Sequence, residues 1–304
     1  MTMLYNNHSL KRLENKPYKQ YLDKYHRYLS QDHIELLKYY YYKRTGTHLD
    51  LDSPKSYTEK LQWLKMYWRD DLVYDCVDKI KAKEIVASLG CPEIVMESLC
   101  IFEKCNDIDF SRLPDKFVLK PNNSSGFNLF VSNKNDVDVY RTRDVFKKIL
   151  NIKYYAAKLE WCYEKIHPRI LCEPLFELSS NRPLDYKFYC FHGEVKFIEI
   201  LNATDWYDNE TIQTLMVDRN FRKLPFSLST KSMEVSQSCD FEKMVKYAEI
   251  LSSPFPHVRI DLYNPSNGVI CFGEFTFFPE AGYCEFIPVE ANMQIGQWLD
   301  LTKI

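Results

Sequence analysis

The stretch that decides the fold is DYKFYCF-HGE-VKFIEIL, residues 185–201. Polar and apolar residues alternate on both sides of a short break, His192-Gly193-Glu194, which predicts two antiparallel strands joined by a tight turn. Period-two alternation puts Asp185, Lys187 and Tyr189 on one face and Tyr186, Phe188 and Cys190 on the other. Upstream, RILCEPLF (169–176) reads as a strand ending at Pro174. FVLK (117–120), the breaker PNNSSG (121–126) and FNLFV (127–131) read as two strands around a loop. Downstream, HVRIDLY (257–263) and VICFGEFTFF (269–278) are two further strands joined by NPSNG (264–268). Helices are expected from about Lys19 onward, after a cap at Ser56 or Thr58 through Leu61, Trp63, Leu64 and Trp68, over Asp78–Leu89 up to Gly90 and Pro92, over Arg143–Ile152, and after Asp240 through Met244, Ala248 and Leu251. Helices come first and mostly antiparallel strands follow, so the chain is α+β and not an alternating βαβ sheet.

Composition narrows the function. The 304 residues make one large or two ordinary domains, and 45% hydrophobic with 27% charged residues excludes a disordered or fibrous chain. Forty basic against forty-two acidic side chains exclude a strongly cationic nucleic-acid binder. No apolar run approaches the ~18 residues of a spanning helix. The opening MTMLYNNHSLKRLENK lacks the apolar core of a signal peptide, so a cytoplasmic chain is expected. Ten scattered cysteines form no CxxC, and Cys172, Cys190 and Cys271 lie in apolar runs, as buried reduced thiols do. The seven dispersed histidines are not read as metal ligands. Residues 1–45 hold nine Lys or Arg and four acids, a local +5 that leaves −7 for the remainder, together with Tyr39 to Tyr42. This segment reads first as an amphipathic helix docked on the body, and otherwise as a basic, aromatic face for an anionic membrane surface or an acidic polymer.

GxGxxG, GxxxxGK[ST] and GxSxG are all missing, so a Rossmann site, a Walker loop and an esterase elbow are unsupported. Lys120 ends an apolar strand beside Asn122, Asn123, Ser124, Ser125 and Gly126. Such a lysine and loop either form a plain hairpin turn or set one charge and several N–H donors against a polyphosphate. Asp185 and Lys187 form either a cross-strand ion pair or a second cation for ATP. Arg259 and Asp261 alternate with Val258, Ile260 and Leu262, and Glu274 and Thr276 alternate with Phe275 and Phe277. Two acids and a hydroxyl on adjacent strands suit Mg²⁺ carrying nucleotide phosphates, with Arg259 beside them for a transferring phosphoryl group. The alternative is an Arg259–Glu274 structural ion pair. Two carboxylates in so apolar a setting are costly without a cation, which favours the metal. The hairpin registers do not follow from the sequence.

In order, Lys120 with its loop, Glu173 at a strand end, Lys187, an Arg-x-Asp strand and a Glu-x-Thr strand resemble the layout of ATP-grasp enzymes. The last two strands are similar to the metal-binding end of D-alanine–D-alanine ligase and its relatives. More closely, the chain resembles the TupA-like ATP-grasp family associated with bacterial surface-polysaccharide gene clusters. The similar stretches are SPKSYTEKLQWLK (53–65), VYDCVDKIKAKEIV (73–86), IDFSRLPDKFVLKPNNSSG (108–126), IHPRILCEPLF (166–176), LDYKFYCFHGEVKFIEI (184–200), and PHVRIDLY through GEFTFFPEAG (256–282). The resemblance implies an ATP-grasp fold, two α+β subdomains holding ATP between them, with an N-terminal helical segment. The implied divisions are a basic Tyr-rich segment (1–50), a helical lobe (51–115) and an ATP-grasp domain (116–304), itself lid-bearing over 116–180 and metal-bearing over 181–304.

The resemblance also implies roles. Lys120 and Lys187 would hold the α- and β-phosphates, and the Ser124-Ser125-Gly126 loop would close over the γ-phosphate. Leu171 to Leu175 would form the adenine hinge with Glu173 or Glu177 toward the amino group or ribose, and Asp185 would join the nucleotide site. Asp261 and Glu274, with Thr276, would bind Mg²⁺, and Arg259 and Lys187 would act on the transferring group. Thr276 departs from the family pattern, where many members have asparagine. The implied activity is a carboxylate–amine ligase in surface-polysaccharide biosynthesis (capsule, O-antigen or teichuronopeptide-like). ATP would activate a carboxylate of a sugar or lipid-linked glycan as an acyl phosphate, and an amino acid would supply the amine. A glycosyltransferase, an ATP-dependent sugar kinase and a non-catalytic assembly protein are the alternatives. No nucleic-acid partner is expected, and residues 1–45 would place the chain at the inner face of the membrane.

Overall fold

A computed structural model of the chain describes residues 9–175, 184–203, 212–266 and 268–304. Two units are interleaved along the sequence. One gathers Met1–His33, Asp71–Glu84 and Met96–Phe176, the other Ile34–Asp70, Ile85–Val95 and Glu177–Ile304. Residues 51–115 are therefore shared between the units. Among the described residues no helix is long and apolar enough to cross a membrane.

The first unit is built on an antiparallel sheet in the order β1-β4-β2-β3, formed by β1 (Cys100–Phe102), β2 (Phe117–Pro121), β3 (Leu129–Val131) and β4 (Ile170–Pro174). Phe117 and Leu119 lie opposite Val131 and Leu129 on one side and Pro174 and Cys172 on the other. They share a core with Val145, Phe146 and Ile149 of the helix Val139–Leu150. That helix starts earlier than the expected Arg143 because the Asp138 carboxylate caps it, accepting the Arg141 N–H at 3.0 Å. Alternation turns Lys120 and Glu173 away from this core, onto the opposite face of the sheet.

One expected helix is divided and another is shorter than read. The run from Lys19 consists of Tyr18–Ser30, whose Tyr25 and Tyr28 meet Tyr155 edge-on, and a separate helix His33–Thr45. The helix read over Asp78–Leu89 starts later, as Lys81–Ser88, and a separate helix, Asp71–Val77, precedes it. Asp78 lies between them, where its Oδ1 accepts the Ile80 N–H at 2.9 Å and the Asn122 amide at 3.0 Å. Such local side-chain bonds compete with helix continuation.

The second unit carries an antiparallel sheet in the order β7-β6-β5-β8-β9, formed by β5 (Asp185–Phe191), β6 (Glu194–Ala203), β7 (Ile212–Val217), β8 (His257–Ser266) and β9 (Val269–Thr276). The expected β5–β6 hairpin turns at His192 and Gly193, with φ of 50° and 80°. A two-residue turn needs both residues left-handed, which glycine tolerates freely. His192 is secured by its Nε2 accepting the Asp300 N–H at 3.1 Å. Tyr186, Phe188 and Cys190, with Ile198, Ile200, Val258, Ile260 and Leu262, are buried on the face where the helix Phe241–Ser252 packs. Each large apolar side chain buried there contributes roughly 1.5–3 kcal/mol, enough for this face to hold the unit while the other carries charge.

Ser56 caps the helix Tyr57–Tyr67 as expected, with a reciprocal bond from the Ser56 N–H to Glu59 at 2.9 Å. Tyr57 of that helix meets His257 Nε2 at 2.9 Å. Asp240 does not cap its helix with its side chain. Its Oδ2 accepts instead from Asn264 at 3.0 Å and from the Gly268 N–H at 2.7 Å, tying down the β8–β9 turn.

Candidate nucleotide and metal site

The charged face of the second unit is ordered by strand register. Glu199 of β6 lies opposite Lys187 of β5, Lys187 opposite Asp261 of β8, and Asp261 opposite Glu274 of β9. One step along, Tyr189, Arg259 and Thr276 form the adjoining row. Arg259 closes bidentately on Asp261, Nε to Oδ1 and Nη2 to Oδ2, both at 2.7 Å. Lys187 Nζ reaches Asp261 at 3.0 Å and Asp185 at 2.9 Å. Arg259 Nη2 also donates to Thr276 at 3.1 Å, and Thr276 donates to Glu274 Oε1 at 3.1 Å. Glu274 itself stands 3.5 Å from the guanidinium. The principal partner of Arg259 is therefore Asp261, and the Arg259–Glu274 pair read as the alternative is the weaker contact.

The charges hold each other in fixed states. Burial alone would raise the Asp261 carboxyl, but Arg259 and Lys187 bring it below its ordinary value. Burial dominates at Asp185 and raises it despite Lys187, and its buried Oδ1 has no hydrogen-bond partner among the described residues. Burial and Arg259 press the Lys187 ammonium down, yet Asp185, Asp261 and Glu199 together raise it.

Among the described residues no group of three or more His, Cys, Asp or Glu side chains forms a metal cage. The residues present nevertheless fit Mg²⁺ in its usual setting. It takes one or two carboxylates and completes its octahedron with water and substrate phosphates. Asp261 and Glu274 are direct cross-strand neighbours, Thr276 adds a hydroxyl, and Glu274 Oε2 makes no hydrogen bond among the described residues.

In the first unit Lys120 and a residue absent from the sequence reading, Lys83, grip the two oxygens of Glu173 at 2.5 and 2.6 Å. Burial would raise the Glu173 carboxyl, but the two lysines hold it at about 2. Glu173 is thus engaged by lysines, not open toward an adenine. The loop after Lys120 is anchored by Asn122, which donates to the His167 carbonyl at 3.0 Å and accepts the Arg169 N–H at 2.7 Å. Arg12 binds the carbonyls of Gly126 and Asn128, both at 3.2 Å, and Lys79 binds that of Ser124. Asn123 Oδ1 and the Ser124 hydroxyl are buried without a partner, while Ser125 and Gly126 are exposed. The Ser124 hydroxyl can donate to an oxygen-rich ligand, whereas Asn123 Oδ1 only accepts and needs a donor. Glu177 lies outside the described residues.

Lys187, Asp185, Arg259, Asp261, Glu274 and Thr276 are brought together in the second unit; Lys120, Glu173, Ser124, Ser125 and Gly126 belong to the first. The sequence reading missed Lys83 and Glu199. Lys83 is one of several lysines in KIKAKE, and only its position on the short helix selects it. Glu199 alternates with Ile198 and Ile200 in β6, a visible signal, but a bulge at Tyr189/Cys190 hides its register with Lys187.

A model of the family described as TupA-like ATPgrasp matches residues 59–300. No curated protein matches the chain. Among solved structures, the chain is similar to the D-cycloserine synthetase DcsG, at 12% identity and a TM-score of 0.44, covering 75% of this chain and 70% of that one. It is similar to D-alanine–D-alanine ligase from Bacillus anthracis at 15% identity and a TM-score of 0.41, covering 71% and 64%. For the ATP-grasp ligase PsnB with a minimal precursor the values are 10% and 0.38, covering 68% of this chain and 53%, about half, of that one. With the family match running over most of its length, the chain belongs to the TupA-like ATP-grasp family and has the ATP-grasp fold.

Proposed function

We propose that this chain is an ATP-dependent carboxylate–amine ligase. The observation that carries the reading is the Lys187–Asp261–Glu274 row with Arg259 closed on Asp261, in a chain of an ATP-grasp family. Lys120 and Lys187 are assigned to ATP phosphates, with Lys83 as a further cation, and the Ser124 hydroxyl to a phosphate oxygen. Asp185 Oδ1 is assigned to a nucleotide hydroxyl. Asp261, Glu274 and Thr276 would hold Mg²⁺, which when bound withdraws charge from phosphate oxygens. Asp261 fixes the Arg259 plane through two bonds, and Arg259 Nη1 makes no hydrogen bond among the described residues. Those two donors are oriented before any substrate arrives, as stabilisation of a transferring phosphoryl group or an acyl oxyanion requires.

The reaction follows from what such groups can do. Carboxylate and amine do not condense unaided at neutral pH. Transfer of the γ-phosphoryl group to the carboxylate gives an acyl phosphate, and the amine then displaces phosphate. The substrate class is a uronic acid on a sugar or lipid-linked glycan, joined to an amino acid, in surface-polysaccharide synthesis. A peripheral membrane contact through the helix Tyr18–Ser30 is supported by exposed Leu22 and Leu29 beside Lys19 and Arg27. The test is γ-labelled ATP with glucuronic acid and an amino-acid panel. The ligase reading predicts labelled inorganic phosphate that depends on both substrates. Label retained on the sugar would make the chain a kinase, and turnover with UDP-sugar but not ATP would make it a glycosyltransferase.

A further inference from the structure

Four carboxyl groups and two cations share the charged face of the second unit. Asp261 takes both cations, Asp185 takes Lys187, and Glu274 leans on Arg259 and Thr276. Glu199 is the acid left without one. It is 5% exposed, and its one hydrogen bond among the described residues comes from the Tyr189 hydroxyl at 3.3 Å. An ionised carboxylate has about four acceptor positions, so most of its capacity is unused. Its donor is held in place, since the Tyr189 ring stacks on Phe197 at 4.2 Å and carries the Arg259 guanidinium 6.0 Å from its centre. A buried carboxyl group in this condition either keeps a proton or waits for a cation.

We propose that this cation is the ammonium group of the amine substrate, and that Glu199 binds it and takes its proton. The proposal rests on the ligase reading and goes beyond it by naming the base. The groups facing Glu199 are Asp185, Lys187 and Tyr189 from β5, Arg259 from β8, and Glu280 and the buried Cys284 thiol beyond β9, while β7 sets Met216 opposite. Burial raises the Glu199 carboxyl, Lys187 and Arg259 lower it, and Asp185 and Glu280 raise it again, leaving it at about 7. A base of that strength suits proton transfer near neutral pH. Two other titratable groups of this unit are spent. Asp261 is locked ionised by two cations, and both ring nitrogens of buried His257 are engaged, by Tyr57 at 2.9 Å and the Phe277 carbonyl at 3.2 Å.

In the step itself, the ammonium gives one proton to the Glu199 carboxylate. The freed nitrogen lone pair forms the C–N bond, and the C–O bond to phosphate breaks with its electron pair leaving on phosphate. The second proton lost from nitrogen goes to the departing phosphate, and the Glu199 proton returns to solvent.

The test sets two nucleophiles against one activated acid, glucuronic acid with Mg-ATP. Glycine arrives as an ammonium ion, whereas hydroxylamine is largely unprotonated at neutral pH and needs no base. Glu199→Gln is expected to lower the ratio of glycine product to hydroxamate about 100-fold. Tyr189→Phe removes the hydrogen bond that favours the ionised carboxylate, so the pH profile of glycine coupling should move alkaline. An unchanged ratio in Glu199→Gln overturns the proposal and leaves the ligase reading standing. Wild-type protein that forms neither product overturns the ligase reading, and this proposal with it. Infrared spectra of ¹³C-glutamate-labelled protein give a readout apart from activity. A protonated-carboxyl band should fade through neutral pH in the wild type and be missing in Glu199→Gln, and its absence from the wild type below neutral pH overturns the proposal.

Discussion

Replacing Asp261 by asparagine keeps the side-chain volume and removes the charge that Arg259 and Lys187 share. Asp261 accepts two bonds of 2.7 Å from Arg259 and one of 3.0 Å from Lys187, and the three side chains are 3, 8 and 15% exposed. An amide nitrogen at 261 would face a guanidinium or ammonium donor, so at least one contact is lost and two buried cations depend on Asp185 and Glu274. Breaking a buried ion pair from one side costs roughly 3–5 kcal/mol. That is a large part of the ~5–15 kcal/mol by which a domain is stable. The same isosteric change at Glu274 touches a side chain 34% exposed and 3.5 Å from its cation, so the expected loss is about 0–1 kcal/mol. Urea denaturation followed by circular dichroism compares both variants with the wild type. Asp261→Asn should unfold at much lower urea and Glu274→Gln close to wild type. A loss below about 1 kcal/mol at 261, or equal losses at both positions, would refute Asp261 as the residue that holds the charged face together. If the difference is found, Glu274→Gln is the cleaner probe of metal binding, since its effect on turnover is not mixed with unfolding.

Two further outcomes are expected. Glu173 is depressed to about 2 from an ordinary 4.5, so its stabilisation is fully present above about 4.5 and is lost as pH falls toward 2. At neutral pH the difference corresponds to about 3 kcal/mol, and acid unfolding of Glu173→Gln followed by circular dichroism should lack that part of the pH dependence; parallel curves would count against the Lys83–Glu173–Lys120 grip. Ser56→Ala should cost about 1 kcal/mol in urea denaturation by removing one half of the capping box, and no loss would mean the cap is not holding the helix.

The sequence was most legible where local chemistry decides the outcome. The hairpin at 185–201, a helix cap at Ser56 or Thr58 and the alternation that sets Arg259 and Asp261 on one strand face follow from residue type and spacing alone. Long-range register was not legible. Nothing local says that Glu199 faces Lys187 or that Asp261 faces Glu274, because bulges at Tyr189/Cys190 and Asp261/Leu262 shift the count of residues. The late start of the helix read over Asp78–Leu89 depends on Asn122, forty-four residues away, reaching the Asp78 carboxylate. Short edge strands also escaped: Cys100–Phe102 and Ile212–Val217 form because a longer strand offers them a free edge. At Glu173 the residue type was read correctly as a strand-end acid, but only the fold shows two lysines already on it.

The most direct measurement is a crystal structure of the chain with Mg²⁺ and a non-hydrolysable ATP analogue. The predicted result is a metal about 2.0–2.1 Å from oxygens of Asp261 and Glu274, with Lys187 and Lys120 on the phosphates and Arg259 Nη1 turned to the terminal one. A nucleotide bound elsewhere, with no metal at Asp261 and Glu274, would contradict it.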